Sequence, residues 1–209
     1  MENNNRYSKY LAVIALLISV VGVSLGFAAY SNTLQIKAQA DYVVDPDNTP
    51  DIAELSTDPN PDTPTPGTVT PTVDGATAEP ANLTEDGIEN ISVHFTAPGQ
   101  SATYSFYGVN PSEFAAYLKT VIFGDKTCTP GTGTTVAYAQ NACNDITMTI
   151  GVGSDEFTET DNNVVGHTLA SGSSEVINVT IEYIDGGATA DGPFTVDFGT
   201  STLNYSTVQ

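Results

Sequence analysis

The sequence predicts an all-β protein, an antiparallel β-sandwich of jelly-roll or immunoglobulin-like form. Three observations carry that expectation. Apolar and polar residues alternate with period two in short runs, as where Ile146, Met148, Ile150 and Val152 interleave with Thr147, Thr149 and Gly151. Turn elements separate the runs: Pro98-Gly99, Gly131, Gly172, Gly186-Gly187 and Gly192-Pro193. No stretch after residue 90 keeps a helical period over a useful length, although Pro111–Tyr117 is expected to form one turn. Many short strands with such turns fit a sandwich.

The chain of 209 residues carries 25 acidic against 5 basic residues, a formal net charge of −20. So few cations cannot neutralise phosphates, which excludes nucleic acid as a partner. The length suits one domain with flanking segments and leaves room for a real core.

The first element is an N-terminal apolar helix. Arg6 and Lys9 precede an uncharged apolar run, Leu11 to Leu25, which is followed by Gly26, Ala28 and Ala29. That order is the one a secretory signal shows, and cleavage is expected after Ala29. The alternative is an uncleaved anchor that holds the protein to a membrane through residues 11–29, since about 20 residues of helix span a bilayer. Either fate places the rest of the chain outside the cell or on its surface.

Residues 30–45 form the second element. Leu34, Ile36, Ala38, Ala40, Tyr42 and Val44 share one face, and Gln35, Lys37, Gln39 and Asp41 share the other, which predicts a half-buried strand. Such a strand needs a sheet. For an isolated chain it is expected to dock on its own domain, because loop-closure entropy grows only logarithmically with length. At high local concentration the same strand can enter a second copy, which makes the chain its own partner and these six residues an assembly strand.

Periodicity stops in residues 46–82, which are dense in Pro, Thr and Asp and are expected to form a mobile linker. The domain proper is expected at 83–209. Its strands are predicted near Ile88–Phe95, Ala102–Val109, Ala115–Phe123, Ile146–Val152, Val176–Ile184, Phe194–Phe198 and Thr202–Tyr205. After the last strand there is no apolar tail or sorting pattern, so a C-terminal wall anchor is not expected.

Cys128 and Cys143 are the two cysteines, and in an exported chain each has one available partner, which predicts a disulfide. A zinc site would have to recruit His94 and His167, one in a strand pattern and one in a turn. Carboxylates crowd at Asp155, Glu156, Glu159 and Asp161, and again at Asp45, Asp47 and Asp51. The second group lacks the glycine and distal glutamate of an EF-hand, and both read as solvated acidic faces rather than calcium sites. No nucleophile elbow, HExxH, P-loop or dinucleotide fingerprint occurs, so no catalytic, cofactor-binding or metal residue is assigned. The N-x-S/T triplets at Asn82, Asn90, Asn178 and Asn204 read as chance in a chain this rich in Thr and Ser.

The layout GVSLGFAAYSNTLQIKAQADYVV, followed by FTAPGQSATYSFYGVN and LASGSSEVINVTIEY, resembles the camelysin/TasA-like exported proteins of Gram-positive bacteria. The resemblance covers the first 45 residues and the strand-turn signatures of 88–184. It implies a signal peptide, a jelly-roll-like sandwich, and fibres of the biofilm matrix in which one subunit's N-terminal strand completes the next. The Pro/Thr spacer and the cysteine pair depart from that pattern. The expected function is therefore that of a secreted or cell-surface structural protein, with a membrane-anchored binding or adhesion module as the alternative. A secreted hydrolase would need a cleft joining a histidine to Ser, Asp or Glu, and no motif announces one.

Overall fold

A computed structural model describes residues 32–35, 39–43, 53–84, 87–184 and 193–206. The expected signal helix at 1–29 lies outside them, as do Ile36, Ala38 and Val44 of the expected assembly strand. No helix among the described residues is long and apolar enough to cross a membrane.

The protein is mostly β. In chain order the strands begin with β1 (Asn32–Gln35), β2 (Gln39–Val43), β3 (Glu54–Ser56), β4 (Gly67–Val69), β5 (Thr72–Asp74) and β6 (Thr77–Glu79). They continue with β7 (Ala81–Leu83), β8 (Ile88–Glu89), β9 (Ser92–Phe95), β10 (Gln100–Val109), β11 (Ala116–Ile122) and β12 (Thr127–Pro130). Helix α1 (Val136–Asn144) precedes β13 (Ile146–Val152), β14 (Asp155–Thr158), β15 (Thr168–Leu169), β16 (Ser174–Tyr183), β17 (Phe194–Asp197) and β18 (Thr200–Ser206).

The largest sheet runs β14-β13-β16-β10-β3, with β5 also on β10. Its centre follows from alternation. Tyr104, Val179 and Ile150 form one row across β10, β16 and β13, and Phe106, Ile177 and Val152 form the next. All six are buried, while Ser105 and Asn178 between them, and Thr103, Thr180 and Thr149 in the row beside, are not. Cross-strand rows of this kind fix register, because a one-residue slip would turn the apolar set to water. The segments FTAPGQSATYSFYGVN and LASGSSEVINVTIEY thus supply partner strands: β10 and β16 pair antiparallel over ten residues each.

A second sheet runs β15-β11-β18-β2, a third β1-β9-β6, a fourth β4-β7-β8, and β12 pairs with β17. All pairings among named strands are antiparallel except that of β2 with β18. Buried residues from these sheets join one apolar cluster, within which the Phe95 and Tyr183 rings meet edge to face at 6.1 Å.

Several expectations need correction. The span 46–82 is not a bare linker where it is described: β3 to β6 and the start of β7 lie in it, and Ala53, Leu55, Val69, Ala76 and Ala81 are buried. Three-residue strands show no readable period; β3 and β5 draw their hydrogen bonds from the longer β10, and β6 draws its own from β9. The intervening loop is tied locally, with Ser56 Oγ accepting from Asp58 N and Thr65 N, both at 3.0 Å. The expected strand Ile88–Phe95 is two strands, because Asn90 takes a left-handed conformation (φ 62°) and the chain changes sheets there. Pro111–Tyr117 makes no helical turn; it bends and enters β11. In β11 a bulge between Leu118 and Thr120 shifts the buried phase from Leu118 to Val121 and leaves Lys119 outward. Close approach of Gly124 to the β17–β18 turn leaves no room for a side chain, since a Cβ there would meet Phe198 O and lie 2.6 Å from Thr200 N.

Asn110 ties the loops at one end of the β10–β16 pair. It is fully buried. Its Nδ2 donates to Phe114 O at 2.8 Å, Leu169 O at 3.1 Å and Ala170 O at 3.2 Å, and its Oδ1 accepts from Ser112 N and Oγ. Asn110→Ala strands those carbonyls and is expected to cost about 1–3 kcal/mol. Asn110→Asp turns a carboxylate oxygen onto carbonyl oxygens and is expected to cost more. Urea midpoints at pH 7 should fall in that order; equal midpoints for wild type and Asp variant would contradict the assignment.

Candidate functional site

Three places bear on function. The first is the pair of sheet edges that hold the N-terminal segment. The single strand expected over 34–44 is divided between two sheets. β1 lies antiparallel on β9, with Leu34 opposite Val93, and β2 lies parallel on β18, with Ala40 opposite Ser201 and Tyr42 opposite Leu203. Both end their sheets, so each leaves its partner's backbone uncovered on that side if it departs.

The second is the disulfide. Cys128 on β12 and Cys143 in the last turn of α1 are joined, with their Cα atoms 6.2 Å apart. The cross-link borders an open cleft of about 490 Å³ lined by Lys126, Thr127, Gln140 and Asn144. The Lys126 ammonium is already engaged: it donates to Ile146 O at 3.1 Å, lies 3.8 Å from Glu159 and sits 5.7 Å from the Phe198 ring centroid.

The third was not legible as a site. His167 lies between two carboxylates, with Nδ1 2.7 Å from Asp155 Oδ2 and Nε2 2.6 Å from Glu175 Oε2. The other oxygen of Glu175 accepts from the Tyr205 hydroxyl at 2.8 Å. Burial alone would lower the His167 pKa, but the hydrogen bonds and charges of Asp155 and Glu175 outweigh it and hold it above its usual value. Asp155 and His167 were visible as a loop carboxylate and a turn histidine. Glu175 and Tyr205 gave no local signal, because only the packing of two sheets brings β14 and β16 beside β18.

These contacts also account for part of the acidic loop considered for calcium: Asp155 faces His167, and Glu159 faces Lys126. Among the described residues no group of three or more His, Cys, Asp or Glu is arranged to hold a metal ion. Asp45, Asp47 and Asp51 lie outside the described residues. No protein-family model matches the chain, and no curated protein matches it.

Proposed function

We propose that this chain is an exported structural protein, secreted or held at the cell surface, that assembles through its N-terminal strand segment. The reading takes the sheets as a jelly-roll-like sandwich, assigns no catalysis, and follows the resemblance to the camelysin/TasA-like proteins. One observation carries it: β1 and β2 complete two sheet edges by backbone pairing, and an identical segment from a neighbour offers those edges the same hydrogen bonds. Residues 44–52 tether the segment and reach about 30 Å at full extension, enough to cross to a molecule in contact. A heterologous contact of this kind propagates as a filament unless it closes into a ring. The disulfide supports export, since such bonds persist in oxidising compartments.

The test uses the chain from residue 30 onward, with and without residues 30–44. Backbone hydrogen bonds contribute about 0.5–1.5 kcal/mol each, so the deletion is expected to lower Tm by about 5 °C or more. It is also expected to abolish concentration-dependent assembly in sedimentation, and a synthetic 30–44 peptide should restore the Tm. Assembly that survives the deletion, or a full chain that stays monomeric at high concentration, overturns the proposal.

A further inference from the structure

The Asp155–His167–Glu175–Tyr205 chain joins two sheets. Asp155 and Glu175 stand on β14 and β16 of the six-stranded sheet. His167 immediately precedes β15, and Tyr205 lies on β18, both in the four-stranded sheet. The His167 side chain is 10% exposed and that of Glu175 is 11% exposed, so the pair is screened from bulk water. Gly153 closes the site from the β13–β14 turn, where a Cβ would lie 3.4 Å from both His167 and Glu175.

The geometry fixes a protonation state. A neutral imidazole has one donor and one acceptor, and its acceptor nitrogen would face a carboxylate oxygen at hydrogen-bond distance. Only the imidazolium donates from both nitrogens, and it then partly neutralises two carboxylates that would otherwise repel across the ring. Asp155 from β14 and Glu175 from β16 are the charged groups on the ring. Tyr205 from β18 reaches it through Glu175, and β11 contributes a backbone contact, Leu118 N–H donating to His167 O at 3.2 Å.

We infer that His167 is a protonation-dependent latch that fastens the 159–167 loop to the six-stranded sheet. With the proton in place, the loop is held at both ends, by His167 here and by the Glu159–Lys126 pair at its start. When the proton leaves, one hydrogen bond becomes a repulsion, two carboxylates face each other with no cation between, and the inter-sheet clamp opens. The His167 pKa is raised in the folded state, so the latch contributes fully below about 6.5 and is lost as pH rises through the folded-state value.

Imidazole NMR of the wild-type protein tests this directly, with His167→Gln assigning which of the two histidine signals is which. The expected result is a His167 midpoint above 6.5, with the Leu118 amide and Tyr205 ring resonances moving at the same midpoint. In thermal melts the wild type should exceed His167→Gln by about 2–4 °C at pH 6, a gap that closes by pH 9. Glu175→Gln should lower the midpoint. A His167 midpoint at or below 6.5, or a gap constant across pH, overturns the latch; if His167→Gln does not fold, His94→Gln leaves the His167 signal as the one imidazole signal, and its titration decides.

Discussion

Tyr104→Ala is expected to lower the unfolding free energy by about 3–5 kcal/mol, the usual range for emptying a buried aromatic site. Tyr104 is fully buried at the centre of β10, in the row with Val179 and Ile150. Its hydroxyl leaves that sheet and donates to Glu79 O at 2.8 Å and Ser92 O at 3.2 Å. Those two residues are register partners in β6 and β9, so one phenol fastens the six-stranded sheet to the β1-β9-β6 sheet. Burial pushes its pKa up to about 12, against a lowering from the Ser92 bond and with a smaller rise from Glu79. The phenol therefore remains a donor at any pH where the protein is studied. Tyr104→Phe keeps the ring and strands two carbonyls, at an expected cost of about 1–3 kcal/mol. Urea unfolding of the two variants separates packing from hydrogen bonding. If phenylalanine proves as costly as alanine, the ring packs less than its burial implies; if it costs nothing, the inter-sheet bond is idle.

What the sequence made legible follows from element length. β10, β13 and β16 are long enough to repeat an apolar alternation three or more times, and each was readable from its apolar residues alone; β18 was expected only over Thr202–Tyr205, because its first buried position is Ser201. Among the shorter strands β17 was legible, as Phe194–Phe198, but β3, β5 and β6 were not: they exist because β10 and β9 offer them hydrogen bonds, and that support is absent from their own sequence. The bulge at Lys119 and the left-handed Asn90 each change the buried phase inside one expected strand. Helix α1 was missed for a related reason. It spans nine residues, carries no acid in its first turn or base in its last, and buries only Ala139, Ala142 and Cys143. Its readable marks were the i, i+3, i+4 spacing of those three and the Thr135 cap, whose side chain accepts from Tyr138 N. The cysteine pairing was legible because two cysteines admit one disulfide. The His167 cluster was not, because its members come from three strands and a loop that only tertiary packing aligns.

Replacing Cys128 and Cys143 together by alanine is expected to cost about 3 kcal/mol, the chain-entropy value for a loop of about 15 residues. In this fold the loss should fall locally first. α1 has its cap and a narrow buried stripe, and nine residues are too few for a helix to persist without packing. β12 pairs only with β17 among the described strands, so its hydrogen bonds come from a two-stranded ribbon, which is marginal alone. The cross-link joins these two weak elements, β12 through Cys128 and the last turn of α1 through Cys143. Before any substitution, free-thiol labelling of the denatured, unreduced protein should give no signal. In the double variant, amide exchange should accelerate across 127–145 at denaturant concentrations where β10, β13 and β16 remain protected, and Tm should fall by about 6–12 °C. Uniform acceleration through the three long strands would mean that the disulfide secures the whole core instead. Unchanged exchange across 127–145 would mean that Ala139 and Ala142 hold the helix without it, and the bond would then have no stabilising role.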